Sequence, residues 1–229
     1  RSALTRTCYH DFSRVLGYTD VADMWLMARQ ALTEEIGERN VYLIYWGGID
    51  GAVHRYGAGG GCWQAELETV THGFEEQFFP FLSGEYREGT LLVMLADHGF
   101  VDAPAEAAHD VDGDRVFRRR MLIPFSGESR AAFLHALDAG SDRTLQEVRE
   151  TLGPDYVVLR TRDVVEAGLF GDREVSAPES RARLGHLHVV ARGLHYLDRQ
   201  GKRYKMRGRH GGLSPEEMLI PWLATRLDA

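Results

Sequence analysis

Three short stretches of this 229-residue chain concentrate the side chains able to do chemistry. Residues 47–54 read Gly-Gly-Ile-Asp-Gly-Ala-Val-His, residues 96–99 read Ala-Asp-His-Gly, and residues 209–214 read Arg-His-Gly-Gly-Leu-Ser. Each sets an imidazole among glycines, and the first two add a carboxylate. Carboxylate with imidazole and no thiolate is the ligand set of a catalytic Zn²⁺ or a similar divalent ion. Asp50 and His54 are four apart, so one helical turn places both on one face. Adjacent Asp97 and His98 would serve two sites on an extended strand, or one site in a turn that Gly99 permits. Singly, each stretch has a plain alternative: a chance Asp-x-x-x-His, a capping aspartate, a glycine-rich loop. Their recurrence at three places is what points to a metal site.

The elements around them explain how such stretches could meet. Helical spacing runs over residues 19–37, with Thr19 or Asp20 as cap and Gly37 as stop. Residues 41–46 form a continuous apolar and aromatic run ended by glycines, the pattern of a strand buried on both faces. Residues 62–83 are again helical and 91–95 a second buried strand. This alternation predicts an α/β fold with a mostly parallel sheet flanked by helices. In such sheets ligands gather at the carboxyl ends of the strands, where residues 47–54 and 96–99 stand. Further along, 122–125 is expected as strand, 128–138 and 143–152 as helices, 156–159 as strand and 161–169 as helix. Residues 187–191 and 219–223 are expected as strands. Without repeats or linkers, residues 1–229 read as one domain.

Composition narrows the function classes. The chain is 44% apolar and 27% charged, which excludes disordered and coiled-coil classes. A net charge of −7 argues against a nucleic-acid duplex as partner. No apolar run approaches the roughly 18 residues of a membrane span. Cys8 and Cys62 cannot build a disulfide framework and read as free thiols in a reducing, cytoplasmic setting. The basic run 202–209 reads as a solvated hairpin, with attraction of a phosphate diester as the alternative. Asp110-Val111-Asp112-Gly113-Asp114 lacks the glycine and glutamate positions of an EF-hand.

Asp50…His54, Asp97-His98-Gly99 and His210-Gly211, in that order, resemble the alkaline phosphatase superfamily, in its type I phosphodiesterase and nucleotide pyrophosphatase-like branch. The stretch 210–223 is particularly similar to the end of that family's domain, and the resemblance spans residues 19–223. It implies that Asp50, His54 and His210 hold one divalent ion and that Asp97 and His98 supply two ligands to a second. Zinc is the metal implied, and manganese suits the same donors. Two such ions about 4 Å apart clamp the attacking and leaving oxygens of an in-line displacement at phosphorus.

The resemblance also implies a further aspartate ligand and a Thr or Ser nucleophile, both upstream of everything matched here. Nothing in residues 1–18 has that pattern; Ser2, Thr5 and Thr7 lack the context. The nucleophile is therefore expected upstream of this chain, which reads as lacking the fold's N-terminal part. The expected partners are a small phosphate-ester substrate and an N-terminal fragment of the same protein, with no membrane. The activity implied is metal-dependent hydrolysis of phosphodiesters or nucleotide pyrophosphates. The alternatives are a non-catalytic metal-binding or interaction module, or a phosphomutase or phosphonate hydrolase of the same superfamily.

Overall fold

The computed structural model describes residues 14–34, 39–171, 182–199 and 206–228, with Tyr9 and Asp11. Ser2, Thr5, Thr7, Cys8, residues 35–37 and the basic residues 202–205 lie outside the described residues. In chain order the elements are α1 (Val21–Glu34), α2 (Gly48–Tyr56), α3 (Cys62–Gly73), α4 (Gly84–Arg87), β1 (Leu91–Leu95), β2 (Val101–Asp102) and β3 (Ala108–Asp110). There follow α5 (Arg115–Arg120), β4 (Ser126–Gly127), β5 (Ala131–Leu134), α6 (Asp142–Leu152), β6 (Tyr156–Arg160) and α7 (Thr161–Glu166). The last are β7 (Leu187–Ala191), β8 (Tyr196–Asp198), β9 (Gly208–Arg209), α8 (Pro215–Met218) and β10 (Trp222–Arg226). The chain divides into two compact units. One comprises Arg1–Ala52, Gly61–Leu95 and Trp222–Ala229, the other Val53–Gly60 and Ala96–Pro221, so the boundary falls inside α2.

In the first unit α1 starts where expected. The Asp20 carboxylate accepts the Asp23 N–H at 2.9 Å and so caps the helix, and the Asp23 carboxylate accepts the Thr19 N–H at 2.9 Å just before it. Its apolar stripe buries Met24 and Trp25 against Phe78, Leu82 and Leu227. The Trp25 indole donates to the Val70 carbonyl at 3.0 Å. It lies so close to α3 that a Cβ on Gly73 would come within 2.6 Å of the ring. Beyond Gly73 the helix passes through a π-helical turn, Phe74–Phe78, which sets Phe74 and Phe78 on the indole at 5.5 and 5.1 Å.

The strands of this unit depart from expectation. Residues 41–46 form neither helix nor strand, no strand pairs with them among the described residues, and 41–45 are exposed. A strand buried on both faces needs a strand on each edge, which this segment lacks among the described residues; only Trp46 packs on the core, while the Tyr42 hydroxyl reaches the Ala31 carbonyl at 3.3 Å. The Tyr18 hydroxyl donates to the Tyr45 carbonyl there. The second expected strand forms as β1, yet it pairs antiparallel with β10 and is largely exposed. Residues 219–221 only lead into β10, which starts at Trp222.

The second unit holds a four-stranded sheet of order β4-β5-β7-β6, every neighbour antiparallel. All five residues of β7 are buried, as the continuous run 187–191 implies. Helix α6 is capped by Ser141, whose hydroxyl accepts the Thr144 N–H at 3.2 Å, and it packs Leu145, Val148 and Leu152 on Leu134, Leu187 and Val189. The helix expected over 128–138 is instead a tight turn and β5. Glu128 and Ala131 exchange both backbone hydrogen bonds, at 3.2 and 3.1 Å, and Gly127 takes a φ of 80°. Pairing along β7 outweighs the helical propensity of Ala-Ala-Phe-Leu. The strand expected at 122–125 is displaced to β4.

The acidic loop 110–114 is spent on its own backbone and on an ion pair of Asp112 with Arg199 at 3.5 Å. Asp110 accepts from Asp112 and Gly113 N–H, and Asp114 caps α5. The helix-and-strand class stands, while only β3 and β8 run parallel among the described residues. Elsewhere the ladders are antiparallel, because hairpin turns and the return of the chain end bring the strands together.

Leu134 is fully buried between β7 and α6. Leu134→Ala is expected to cost about 2–5 kcal/mol, read as a lowered urea midpoint at unchanged slope. A loss under about 1 kcal/mol would contradict this packing.

Candidate metal centre

Helix α2 carries the first pair of ligand candidates. It begins at Gly48, where a Cβ would come within 2.4 Å of the Trp46 indole nitrogen and 2.6 Å of the Glu66 carboxylate. Trp46 itself donates to that carboxylate at 3.2 Å. Asp50 and His54 stand one turn apart on the helix, as their spacing predicts. The far end of α2 is held by Asp102 of β2, which accepts the N–H groups of Ala58 at 2.6 Å and Gly59 at 3.1 Å.

His54 is oriented by β9. Its Nδ1 lies 2.9 Å from the Gly208 carbonyl oxygen, and the His54 carbonyl accepts the Arg207 N–H at 2.8 Å. A carbonyl can only accept, so Nδ1 carries the hydrogen and the neutral ring presents Nε2 as a lone pair. Such a second hydrogen bond is what fixes a metal-ligating imidazole. The approach requires glycine at 208, where a Cβ would come within 2.5 Å of the Val53 side chain and 2.7 Å of its carbonyl.

Asp97 and His98 form the turn alternative, with Asp97 Oδ1 accepting the His98 N–H at 3.1 Å. His98 Nδ1 lies 3.0 Å from the Gly99 carbonyl, which leaves its Nε2 as the acceptor in the same way. The His98 ring stacks on that of His210 with centroids 3.7 Å apart and planes within 11°. His54 lies 5.1 Å from His210. Phe100 makes T-shaped contacts with all three imidazoles, at 5.5, 5.0 and 5.3 Å from His54, His98 and His210.

The ligating atoms of Asp50, His54 and His210 all lie within 4.8 Å of one another, and all three residues are half-buried. One carboxylate and two imidazoles at that spacing fit a divalent ion, with a position left over for water or substrate. Asp97 and His98 are not part of that three-residue set, though His98 adjoins it through His210.

Sequence reasoning missed the residues that hold these loops. Arg130 is fully buried and donates to both Glu217 oxygens, at 2.7 and 2.8 Å, and to the carbonyls of His195 and Gly193 at 2.6 and 2.9 Å. Burial would raise the Glu217 pKa, but the guanidinium and the Gly212 N–H outweigh it and hold the carboxyl below its usual range. With a depressed folded-state pKa, the stability this carboxylate contributes is present above the ordinary glutamate range and lost as pH falls through the folded value. Phe100 shows no sign in the sequence beyond following Asp-His-Gly.

Matched against protein-family models, residues 4–213 fit that of type I phosphodiesterase / nucleotide pyrophosphatase. Comparison with the curated proteins finds no match. Among solved structures, murine ectonucleotide pyrophosphatase / phosphodiesterase 5 aligns with a TM-score of 0.60 at 14% identity, covering 91% of this chain and 54% of that one. An inactive variant of the murine protein, in complex with AMP, aligns equally well. The human counterpart gives 0.62 at 17%, covering 89% and 50%. Phosphonoacetate hydrolase from Sinorhizobium meliloti, in complex with phosphonoformate, gives 0.52 at 19%, covering 76% and 43%. At these identities the likeness shows the fold, which is the alkaline-phosphatase-like α/β fold. The chain spans about half the length of these solved structures. Because the family model accounts for residues 4–213, nearly the whole sequence, the chain belongs to the type I phosphodiesterase / nucleotide pyrophosphatase family.

Proposed function

We propose that this chain serves the hydrolysis of phosphate esters, most directly phosphodiesters or nucleotide pyrophosphates, through a divalent-metal site. The observation that carries the reading is the convergence of Asp50, His54 and His210 within 4.8 Å in a member of this family. Asp97 and His98 are proposed as ligands of a second ion. Zinc is the favoured metal and manganese the alternative. AMP bound by the inactive murine relative supports a nucleotide-type substrate. No residue of this chain is assigned as the nucleophile; a further segment of the same protein is the partner proposed to supply it.

Ions held there supply positive charge to the non-bridging oxygens and to the charge that shifts during displacement at phosphorus. The protein's own residues prepare the place for it. Gly208 fixes the ring and tautomer of His54, the Gly99 carbonyl does so for His98, and Phe100 packs against all three imidazoles. Such orientation is made on folding and need not be repeated in each turnover. The exposed thiol of Cys62 suits a reducing, cytoplasmic setting, and among the described residues no helix is long and apolar enough to cross a membrane. A phosphonate hydrolase is the second reading, prompted by the Sinorhizobium meliloti neighbour.

Two predictions follow from this site. Asp50→Asn and His210→Ala should each lower bound zinc, measured by elemental analysis after dialysis. Each should also reduce hydrolysis of bis(p-nitrophenyl) phosphate by the full-length protein beyond the roughly 10–100-fold typical of outer-shell changes. Unchanged metal and activity in both would reject the reading, and activity on phosphonoacetate alone would move the second reading ahead. Gly208→Ala should push β9 off Val53 and release His54, weakening zinc about 10–100-fold in a competition titration with a chromophoric chelator. Wild-type affinity in that variant would show that Gly208 does not orient the ligand.

A further inference from the structure

We propose that Glu217, with Arg130 as its buried counter-charge, is a positioning residue that sets the separation of the loops bearing His98 and His210. The inference rests on the metal-centre reading above and extends it to residues that touch no metal.

Two contacts made by one residue carry it. The Glu217 side chain accepts the Gly212 N–H through Oε1 at 2.8 Å, two residues beyond His210. Its main-chain carbonyl accepts the Gly99 N–H at 2.8 Å, one residue beyond His98. Both loops are pressed against it. A Cβ on Gly212 would come within 2.6 Å of the Glu217 carboxylate, and a Cβ on Gly99 within 2.0 Å of the Glu216 carbonyl. Gly211, between His210 and Gly212, takes a φ of 96° with Glu128 at 2.5 Å from a would-be Cβ, which restricts the path of the His210 loop. The stacking of His98 on His210 at 3.7 Å is the direct outcome.

The arrangement is rigid because it is charged and dry. Arg130 and Glu217 are both buried, their contact is bidentate, and two carbonyls take two of the three remaining guanidinium hydrogens. A fork of this kind fixes direction as well as distance. Apolar pairs of similar volume often replace buried ion pairs without loss of stability, so stability alone does not account for this one. Its distinct contribution is an oxygen held at a fixed point for Gly212.

Two double variants isolate that oxygen. Arg130→Met/Glu217→Gln and Arg130→Met/Glu217→Leu both remove the two charges together, so neither leaves an unpaired buried ion. Both release the carbonyls of Gly193 and His195, and they differ in the acceptor for Gly212. Zinc affinity of the full-length protein is measured by competition titration, and the ligand field by the visible spectrum of the Co²⁺-loaded protein. Circular dichroism confirms the fold. The glutamine variant should bind zinc within about threefold of wild type. The leucine variant should bind 10–100-fold more weakly, as outer-shell losses do, with a shifted Co²⁺ spectrum. Glu217→Asp, which keeps the charge and withdraws the oxygen, should weaken zinc in the same direction.

Equal zinc affinity and equal spectra in the two double variants, whatever their melting temperatures, would overturn the proposal and leave Glu217 a purely structural residue. Asp50→Asn separates the two readings. If it and His210→Ala both bind zinc as wild type does, the metal centre itself is wrong and the positioning proposal falls with it. If Asp50→Asn loses zinc while the double variants match, only the positioning proposal fails.

Discussion

The buried contact between Arg130 and Glu217 is the constraint on which the imidazole cluster depends. Neither residue offers an atom to a ligand. Together they fix where the chain turns after His98 and after His210, because Glu217 faces Gly99 with its backbone and Gly212 with its carboxylate. An ion pair removed from water is an expensive way to hold two loops, since each charge forfeits hydration worth several kcal/mol. The cost is offset here by saturation, as the bidentate contact and two carbonyls leave little of the guanidinium without an acceptor. Direction is what such a contact adds over an apolar one.

The glycines complete the same logic from the other side. Gly99, Gly208 and Gly212 each occupy a point where a Cβ would collide with backbone or with the carboxylate. They allow two loops and a helix end to approach closely enough for three imidazoles to share one phenyl ring. Gly211 is different, since its φ of 96° is a conformation that side chains oppose. The cluster is therefore bounded by hard contacts rather than by flexible side chains, which suits ligands that must be oriented before a metal arrives.

Much of the candidate site was legible in the sequence because its information is local. Asp50 and His54 lie on one helical turn, and glycine beside an imidazole marks a tight loop at both His98 and His210. The positioning pair was not legible, because residues 87 apart meet only through tertiary structure and a lone arginine or glutamate carries no mark of burial. The fold was legible where periodicity or a continuous run was strong, as in α1, α6 and β7. It failed at residues 128–138, where a two-residue turn and pairing along β7 overrode helical propensity, and at 41–46, where apolar character alone implied a ladder. Parallel pairing was inferred from alternation of elements, whereas β1 in fact meets the end of the chain.

The most direct test of the account is anomalous diffraction at the zinc edge from a crystal of the zinc-loaded protein. The account predicts an ion bonded by a carboxylate oxygen of Asp50 and imidazole nitrogens of His54 and His210, with Glu217 Oε1 still within hydrogen-bond distance of the Gly212 N–H. A zinc peak elsewhere on the molecule, or none at that cluster, would contradict it.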